Sequence, residues 1–127
     1  LVMRPELLVL DEPFEGLDPT SRAALIALLR SLAEDRGLTI VMSTHDIDTV
    51  PEFADYAYVL QHGGRIVLKG TPAEVFARVD LMAAGNIRPP VLAELFARLR
   101  EADPSAPETA LTVDDAVSAL RRWNAGR

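Results

Sequence analysis

The sequence predicts an α/β fold: a parallel sheet with flanking helices, a β-hairpin and a small helical C-terminal extension. Residues 7–10 and 39–42 are short apolar runs, and a helical pattern lies between them. This β-α-β order is the repeating unit of a parallel sheet. A glycine pair between two alternating stretches predicts the hairpin, and amphipathic stretches beyond residue 80 predict the extension.

The β-α-β unit is bounded by clear local signals. The run at 7–10, "LLVL", is too short for a helix and has a proline on either side, so we expect a strand buried on both faces. Asp18 and Pro19 are typical of a helix N-cap and first turn. Gly37 predicts the helix end, and the run at 39–42 predicts the second strand.

The middle of the chain alternates short elements. A short helix is expected at 46–54, interrupted or restarted at Pro51. The stretch "YAYVLQHGGRIVLKG" predicts a hairpin that turns at Gly63 and Gly64. Thr71 and the proline after it predict the start of another helix, which should extend to about Val79.

The last part of the chain is predicted to be helical with breaks. Residues 88–90, "RPP", interrupt the chain, and 91–101 form an amphipathic helical pattern. A polar, proline-containing linker follows at 103–107. The final helix is expected at 113–123, with Thr112 as its N-cap and two aspartates in its first turn.

Composition excludes several classes of protein. The chain has 127 residues, of which 49% are hydrophobic, so it can bury a core and is not disordered in composition. A net charge of −6 argues against a nucleic-acid partner, which requires a basic surface. The sequence has no cysteine, which excludes disulfides and thiolate chemistry. No apolar run approaches the ~20 residues of a membrane span, and no signal peptide is visible, so we expect a soluble intracellular chain.

Acidic residues follow directly after the first strand. An Asp at a strand's carboxyl end, here Asp11, can hold Mg²⁺ through water, and Glu12 can polarise an attacking water. His45 ends the next strand, so it should lie near both acids and could hydrogen-bond a phosphate. The alternative is a solvated loop exit without a function. His62, in the hairpin turn, is interpreted as a surface residue.

These motifs resemble those of ATP-binding-cassette (ABC) ATPases, a family of P-loop NTPases. The resemblance implies that the chain is the C-terminal part of the nucleotide-binding domain. Phe14 and Glu15 replace the smaller residues that are usual in this family. Three stretches resemble motifs of the whole family: "LLVLDEP" the Walker B strand, "EGLDP" the D-loop and "STHD" the switch histidine loop. Three others resemble the cobalt/nickel-type or energy-coupling-factor importers within it: "VPEFADYAYVL", "KGTPAEVF" and "LTVDDAVSAL".

The resemblance implies a role for each matching residue. Asp11 would organise the water shell of Mg²⁺, Glu12 would be the general base, and His45 would contact the terminal phosphate of ATP. Three residues would cross a dimer interface to the partner's nucleotide: Gly16, Leu17 and Asp18. The resemblance divides the chain into residues 1–79, the ATPase part, and 80–127, the helical extension.

The phosphate-binding loop of this family, GxxxxGK[ST], does not occur in the sequence. The single lysine, Lys69, follows a leucine, and the LSGGQ-type signature is also missing. The chain starts at Leu1, with Met3 as its first methionine. We therefore expect a fragment or a misassigned start. We also expect an exposed sheet edge, a tendency to aggregate, and negligible ATPase activity for this chain alone.

The resemblance also implies cofactors, partners and a location. ATP and Mg²⁺ would be the cofactors of the complete ABC-type ATPase. The partners would be a second ATPase subunit and an integral membrane transport subunit. The expected location is the cytoplasm, at the inner face of the cell membrane.

Two alternative functions remain open from the sequence. One is the C-terminal lobe of a DNA-repair or chromosome-organising ATPase, which shares the three motifs. The hairpin and "GTPAEVF" after the histidine favour a transporter instead, as does the acidic pI of about 4.8. The other is a non-catalytic module in which residues 80–127 dimerise or regulate.

Overall fold

A computed structural model describes residues 5–126 of the chain. It divides into two compact units, residues 1–46 and 47–127. The elements, in chain order, are β1 (Leu7–Asp11), α1 (Pro19–Arg36), β2 (Thr39–Ser43), a 3₁₀ turn (Ile47–Thr49), α2 (Val50–Phe53), β3 (Ala57–Gln61), β4 (Arg65–Gly70), α3 (Pro72–Phe76), α4 (Val79–Ala84), α5 (Val91–Ala102) and α6 (Val113–Ala125).

The first unit is the predicted β-α-β unit. Strands β1 and β2 pair in parallel, with Leu7 opposite Thr39 and Asp11 opposite Ser43. Both strands therefore end at the same edge of the sheet. This confirms the parallel pairing and places the residues that follow each strand side by side.

Helix α1 begins and ends where the sequence predicted. The Asp18 side chain caps the helix and accepts the backbone N–H of Ser21 at 3.0 Å. At the other end Gly37 has φ +63°, the left-handed conformation that glycine adopts without a steric penalty. The helix is thus fixed at both ends by local chemistry.

The prediction that the strands are buried on both faces was wrong. Alternate residues of β1 and β2 are exposed, and Val9 is 68% and Val41 53% accessible to solvent. Helix α1 contributes Ile26 and Leu29 to the core of this unit, and Phe14 is also buried. Within the described residues of this unit the sheet has a helical layer to pack against on one side only, so its other face stays open.

The second unit contains the predicted hairpin. Strands β3 and β4 are antiparallel, and Gly63 and Gly64 adopt φ of +90° and +79° in the turn. His62 is exposed in this turn, as predicted. Before the hairpin, the interrupted helix expected around Pro51 is a 3₁₀ turn followed by the one-turn α2.

The helix predicted to run from Thr71 to about Val79 ends earlier. Thr71 and Glu74 form a capping box, in which each side chain bonds the backbone N–H of the other residue. Helix α3 ends at Phe76, and α4, which the sequence did not predict, follows it. Arg78, with φ −95° and ψ 54°, has left the helical conformation and separates the two helices.

Two apolar clusters stabilise the second unit. One contains Val75, Phe76, Met82 and Ala93, against which residues of the hairpin pack. The other joins α5 and α6. Both helices agree with the prediction, to within two residues at the C-terminal end of α6.

The second cluster extends to a polar contact at the surface. Phe96 of α5 is fully buried against Ala110 and Ala116. Trp123 on α6 donates its indole N–H to the hydroxyl of Ser105, at 3.2 Å, in the linker between the helices. The linker is therefore tied to the last helix.

Some predictions concern features that the structure does not test. The functional boundary between residues 79 and 80 stays a prediction. Among residues 5–126, none of the helices combines the length and apolar composition that a membrane span requires.

Replacing Phe96 by Ala should destabilise the second unit strongly. Phe96 has no accessible surface, and removing a buried aromatic ring typically costs about 3–5 kcal/mol. Chemical unfolding followed by far-ultraviolet circular dichroism measures the loss. Val113→Ala is the matched control, because Val113 is 68% exposed, and we expect a change within about 0.5 kcal/mol. Equal effects of the two substitutions would contradict this account of the core.

Candidate active site at the ends of two parallel strands

The site starts from the register of β1 and β2. Asp11 is the last residue of β1, and the last residue of β2, Ser43, lies opposite it. The Ser43 hydroxyl donates a hydrogen bond to Oδ1 of Asp11. The Asp11 carboxylate is therefore held at the edge of the sheet, in an exposed position.

Glu12 turns the chain sharply after β1. It has φ +44°, in the left-handed region that non-glycine residues rarely occupy. Its backbone N–H is shared between the carbonyl oxygen of Ser43 at 3.1 Å and the hydroxyl of Ser43 at 3.2 Å. Such an outlier costs of order 1–3 kcal/mol and is characteristic of functional sites.

The side chain of Glu12 contacts His45. Oε1 of Glu12 lies 2.9 Å from Nδ1 of His45, and Oε2 accepts the backbone N–H of His45 at 3.3 Å. Glu12 is 29% exposed, whereas the imidazole is 76% exposed. The carboxylate is therefore fixed at both oxygens, and the imidazole extends into solvent.

The hydrogen bond to Glu12 and the charge of that carboxylate raise the pKa of His45 above its ordinary value of 6.5. Two other acids, Glu15 and Asp46, add smaller contributions of the same sign. The imidazole thus tends to carry a proton at a higher pH than a free histidine. A protonated His45 is a donor at both ring nitrogens.

The loop that follows Glu12 leads into α1. The N–H of Glu15 bonds the carbonyl of Glu12 at 3.1 Å, and Gly16 has φ +72°. The N–H of Leu17 bonds the carbonyl of Phe14 at 3.3 Å, which closes the turn. Phe14 is the buried residue of this loop, with only 2% of its surface exposed.

Asp18 has a structural role in this loop. Its carboxylate accepts the N–H of Ser21 at 3.0 Å and the hydroxyl of Ser21 at 2.7 Å. These hydrogen bonds lower the pKa of Asp18. Asp18 caps α1, and both Gly16 and Asp18 are exposed in the loop before this helix. The capping contact therefore leaves the predicted role of Asp18 at a dimer interface open.

Two further contacts were not anticipated from the sequence. Ser43 is the first residue of the "STHD" stretch, and its contact with Asp11 depends on the strand register, which places the two residues opposite each other. Arg22 on α1 pairs with Asp46, directly after His45, with Nη1 and Oδ2 at 2.8 Å. This pair joins the histidine loop to the helix that Asp18 caps.

The predicted residues therefore fall into two groups. Asp11, Glu12 and His45 meet at one edge of the parallel sheet. The other predicted residues, Gly16, Leu17 and Asp18, lie in the connection to α1. Within residues 5–126, no three His, Cys, Asp or Glu side chains cluster as a protein-only metal site would require.

Comparison with protein families matches the first part of the chain. Residues 1–50 match the family described as "AAA domain, putative AbiEii toxin, Type IV TA system". The matched residues contain both strands and all of the candidate site residues described above. The match therefore concerns the unit that bears the acids and the histidine.

Curated relatives match nearly the whole chain. The energy-coupling factor transporter ATP-binding protein EcfA of Methanoculleus marisnigri is 45% identical over 91% of this chain and 41% of its own length. EcfA2 of Clostridium perfringens is 39% identical over 97% of this chain and 43% of its own length. The chain belongs to the ABC transporter ATP-binding proteins.

A solved structure from this family has the same fold. CbiO1 from Clostridium perfringens, described as part of the ABC transporter complex CbiONQ, is 41% identical, with a TM-score of 0.56. The match covers 76% of this chain and 38% of CbiO1. The chain thus spans less than half the length of these relatives. The predicted resemblance and the α/β fold class are confirmed.

Changing Glu12 to Gln should lower the pKa of His45. The substitution keeps the size of the side chain and removes its charge, which is part of the cause of the raised value. Proton NMR titration of the imidazole measures it. Glu34→Gln, an exposed change on α1, is the control and should leave the titration of His45 unchanged.

The same pair predicts how stability depends on pH. Since the folded pKa of His45 is raised, the stabilisation is fully present at pH values well below 6.5, the ordinary value, and disappears as the pH rises through the folded pKa. The stability difference between wild type and Glu12→Gln should therefore shrink over that range. A constant difference would contradict the contact between Glu12 and His45.

Proposed function

We propose that this chain supplies the acidic and histidine side of the ATP hydrolysis site in an ABC transporter ATPase. The observation that carries the proposal is the contact between Glu12 and His45 beside Asp11, at the ends of two parallel strands. In open α/β sheets, ligands bind at this edge. The similarity to energy-coupling factor ATP-binding proteins supports the same function.

The residues present fit a magnesium ion shared with a nucleotide. Mg²⁺ is usually held by one or two carboxylates together with phosphate oxygens and waters. Asp11 offers one exposed carboxylate, and one of its oxygens is engaged by Ser43. Asp11 would therefore hold the ion through water, and the ion would offset charge on the phosphate oxygens.

Glu12 and His45 have separate roles in this proposal. A Glu12 oxygen would accept the proton of the attacking water, because that carboxylate is fixed close to the strand edge. His45 donates its Nδ1–H to Glu12, so in the protonated imidazole the Nε2–H is the donor left for a terminal phosphate. The high exposure of the imidazole is consistent with a group that a ligand would contact.

Phosphate binding would come from outside these 127 residues. Phosphoryl transfer depends on backbone N–H groups and a lysine that surround the phosphates. The sequence contains no GxxxxGK[ST] motif. We therefore propose that the chain by itself does not hydrolyse ATP at a measurable rate and acts only within a complete ATPase.

The proposed partners are those of an importer. CbiO1 is described as part of the complex CbiONQ, and other relatives are energy-coupling factor proteins. We propose a membrane transport subunit and a second ATPase as partners, at the cytoplasmic face of the membrane. The second ATPase would be contacted through Gly16, Leu17 and Asp18. A cobalt, nickel or other energy-coupling-factor substrate fits these relatives.

We propose that the extension at 80–127 contributes to pairing with the second ATPase. Four apolar residues of α5 and α6 are substantially exposed: Val91, Leu95, Val113 and Val117. An exposed apolar helix surface is consistent with a protein contact. The proposed division of the chain into an ATPase part at 1–79 and this extension rests on that observation and on the resemblance.

Glu12→Gln in the assembled ATPase should abolish hydrolysis and leave Mg-ATP binding intact. Loss of a general base lowers the rate by about 10²–10⁴-fold. Phosphate release measures hydrolysis, and titration calorimetry measures binding. Glu34→Gln is the control and should retain the wild-type rate.

The 127-residue chain alone provides the complementary test. Titration with Mg-ATP should give no binding heat for wild type or for Glu12→Gln. Micromolar binding by the isolated chain would show that other residues replace the phosphate loop. Full activity of Glu12→Gln in the assembled enzyme would refute the role proposed for this carboxylate.

A further inference from the structure

Ser43 makes three hydrogen bonds with the two candidate catalytic acids. Its hydroxyl donates to Oδ1 of Asp11 and accepts the N–H of Glu12 at 3.2 Å. Its carbonyl oxygen accepts the same N–H at 3.1 Å. One serine therefore connects the side chain of one acid with the backbone of the next.

These bonds restrict the two features on which the site depends. An exposed aspartate at a strand end can rotate about its side-chain bonds, and the hydroxyl of Ser43 selects one orientation. Glu12 occupies the left-handed region, with φ +44°. The shared bond from its N–H favours that turn, and the turn directs the Glu12 carboxylate toward His45.

We propose that Ser43 is a positioning residue: its hydroxyl sets the orientation of the Asp11 carboxylate toward the metal and stabilises the turn at Glu12. The inference rests on the proposed ATPase function. The hydroxyl of Ser43 bonds Oδ1 of Asp11, so Oδ2 would be the oxygen available to the water shell of the ion. Ser43 itself touches neither nucleotide nor metal in this proposal.

Two substitutions of Ser43 separate the effect of its hydroxyl group from the effect of side-chain shape. Thr and Val have nearly the same shape and suit a strand equally, but only Thr carries a hydroxyl. Ser43 is exposed, so either side chain can be accommodated. Ser43→Thr should keep both side-chain bonds, and Ser43→Val should remove both.

The first measurement concerns the isolated chain. Three-bond Hα–Hβ couplings of Asp11 report the distribution of its side-chain rotamers. Wild type and Ser43→Thr should show one dominant rotamer, and Ser43→Val should show averaged couplings. Ser31→Ala is the matched control, because it removes a serine hydroxyl that bonds Asp35 at 2.7 Å on α1. It should leave the Asp11 couplings unchanged.

The second measurement concerns metal binding in the assembled ATPase. Mn²⁺ is titrated in the presence of a non-hydrolysable ATP analogue and followed by electron paramagnetic resonance. Ser43→Val should raise the dissociation constant for Mn²⁺ about tenfold, since one hydrogen bond to a charged group has roughly that effect. Ser43→Thr should stay close to wild type, and binding of the analogue without metal should not change.

The outcomes separate this inference from the proposed function. If the wild-type assembly binds no metal with the analogue, the ATPase proposal itself fails. If wild type binds metal and Ser43→Val binds it equally well, the role of Ser43 is refuted. A merely structural role would lower the unfolding temperature of Ser43→Val without a change in Mn²⁺ affinity, and this result would also overturn the inference.

Discussion

The parallel hydrogen bonding between β1 and β2 determines where the acids and the histidine lie. Because Asp11 is opposite Ser43 in this register, the residues that follow the two strands emerge side by side. A shift of one residue would turn every side chain to the other face of the sheet and separate Glu12 from His45. The contact of 2.9 Å between these two residues is thus a consequence of strand pairing.

Polar contacts support this register at the carboxyl ends of the two strands. Ser43 and His45 hold the turn at Glu12, and Arg22 joins the histidine loop to α1 through Asp46. The pair between Arg22 and Asp46 is partly exposed, so its own contribution to stability is at most about 1 kcal/mol. Its main effect is geometric, since it fixes a loop against a helix.

Much of the fold could be predicted because the signals were local. Asp18, Gly37 and the glycine pair at 63–64 each impose a backbone conformation that the surrounding chain does not override. The boundary at Arg78 carries no such signal, which is why α4 was missed. The exposure of β1 and β2 was also misjudged, because an apolar run shows what a strand can bury and not which layers cover it.

The candidate site was predictable to a similar extent. The order of acids and histidine along two strands was sufficient to bring Asp11, Glu12 and His45 together. The part played by Ser43 depends on which residue faces which across the sheet, and the left-handed turn at Glu12 has no marker such as glycine. The role of Ser43 and the turn at Glu12 therefore become visible only in the folded structure.

The position of Trp123, whose indole N–H bonds Ser105 within the second unit, has a practical consequence for experiments in solution. Trp123 is the single tryptophan, and both tyrosines, Tyr56 and Tyr58, also lie beyond residue 46. Intrinsic fluorescence and near-ultraviolet absorbance therefore report on the unit at 47–127, and phenylalanine is the sole aromatic chromophore of the unit with the acids. A tryptophan introduced on the exposed side of α1 would give that unit an optical signal of its own.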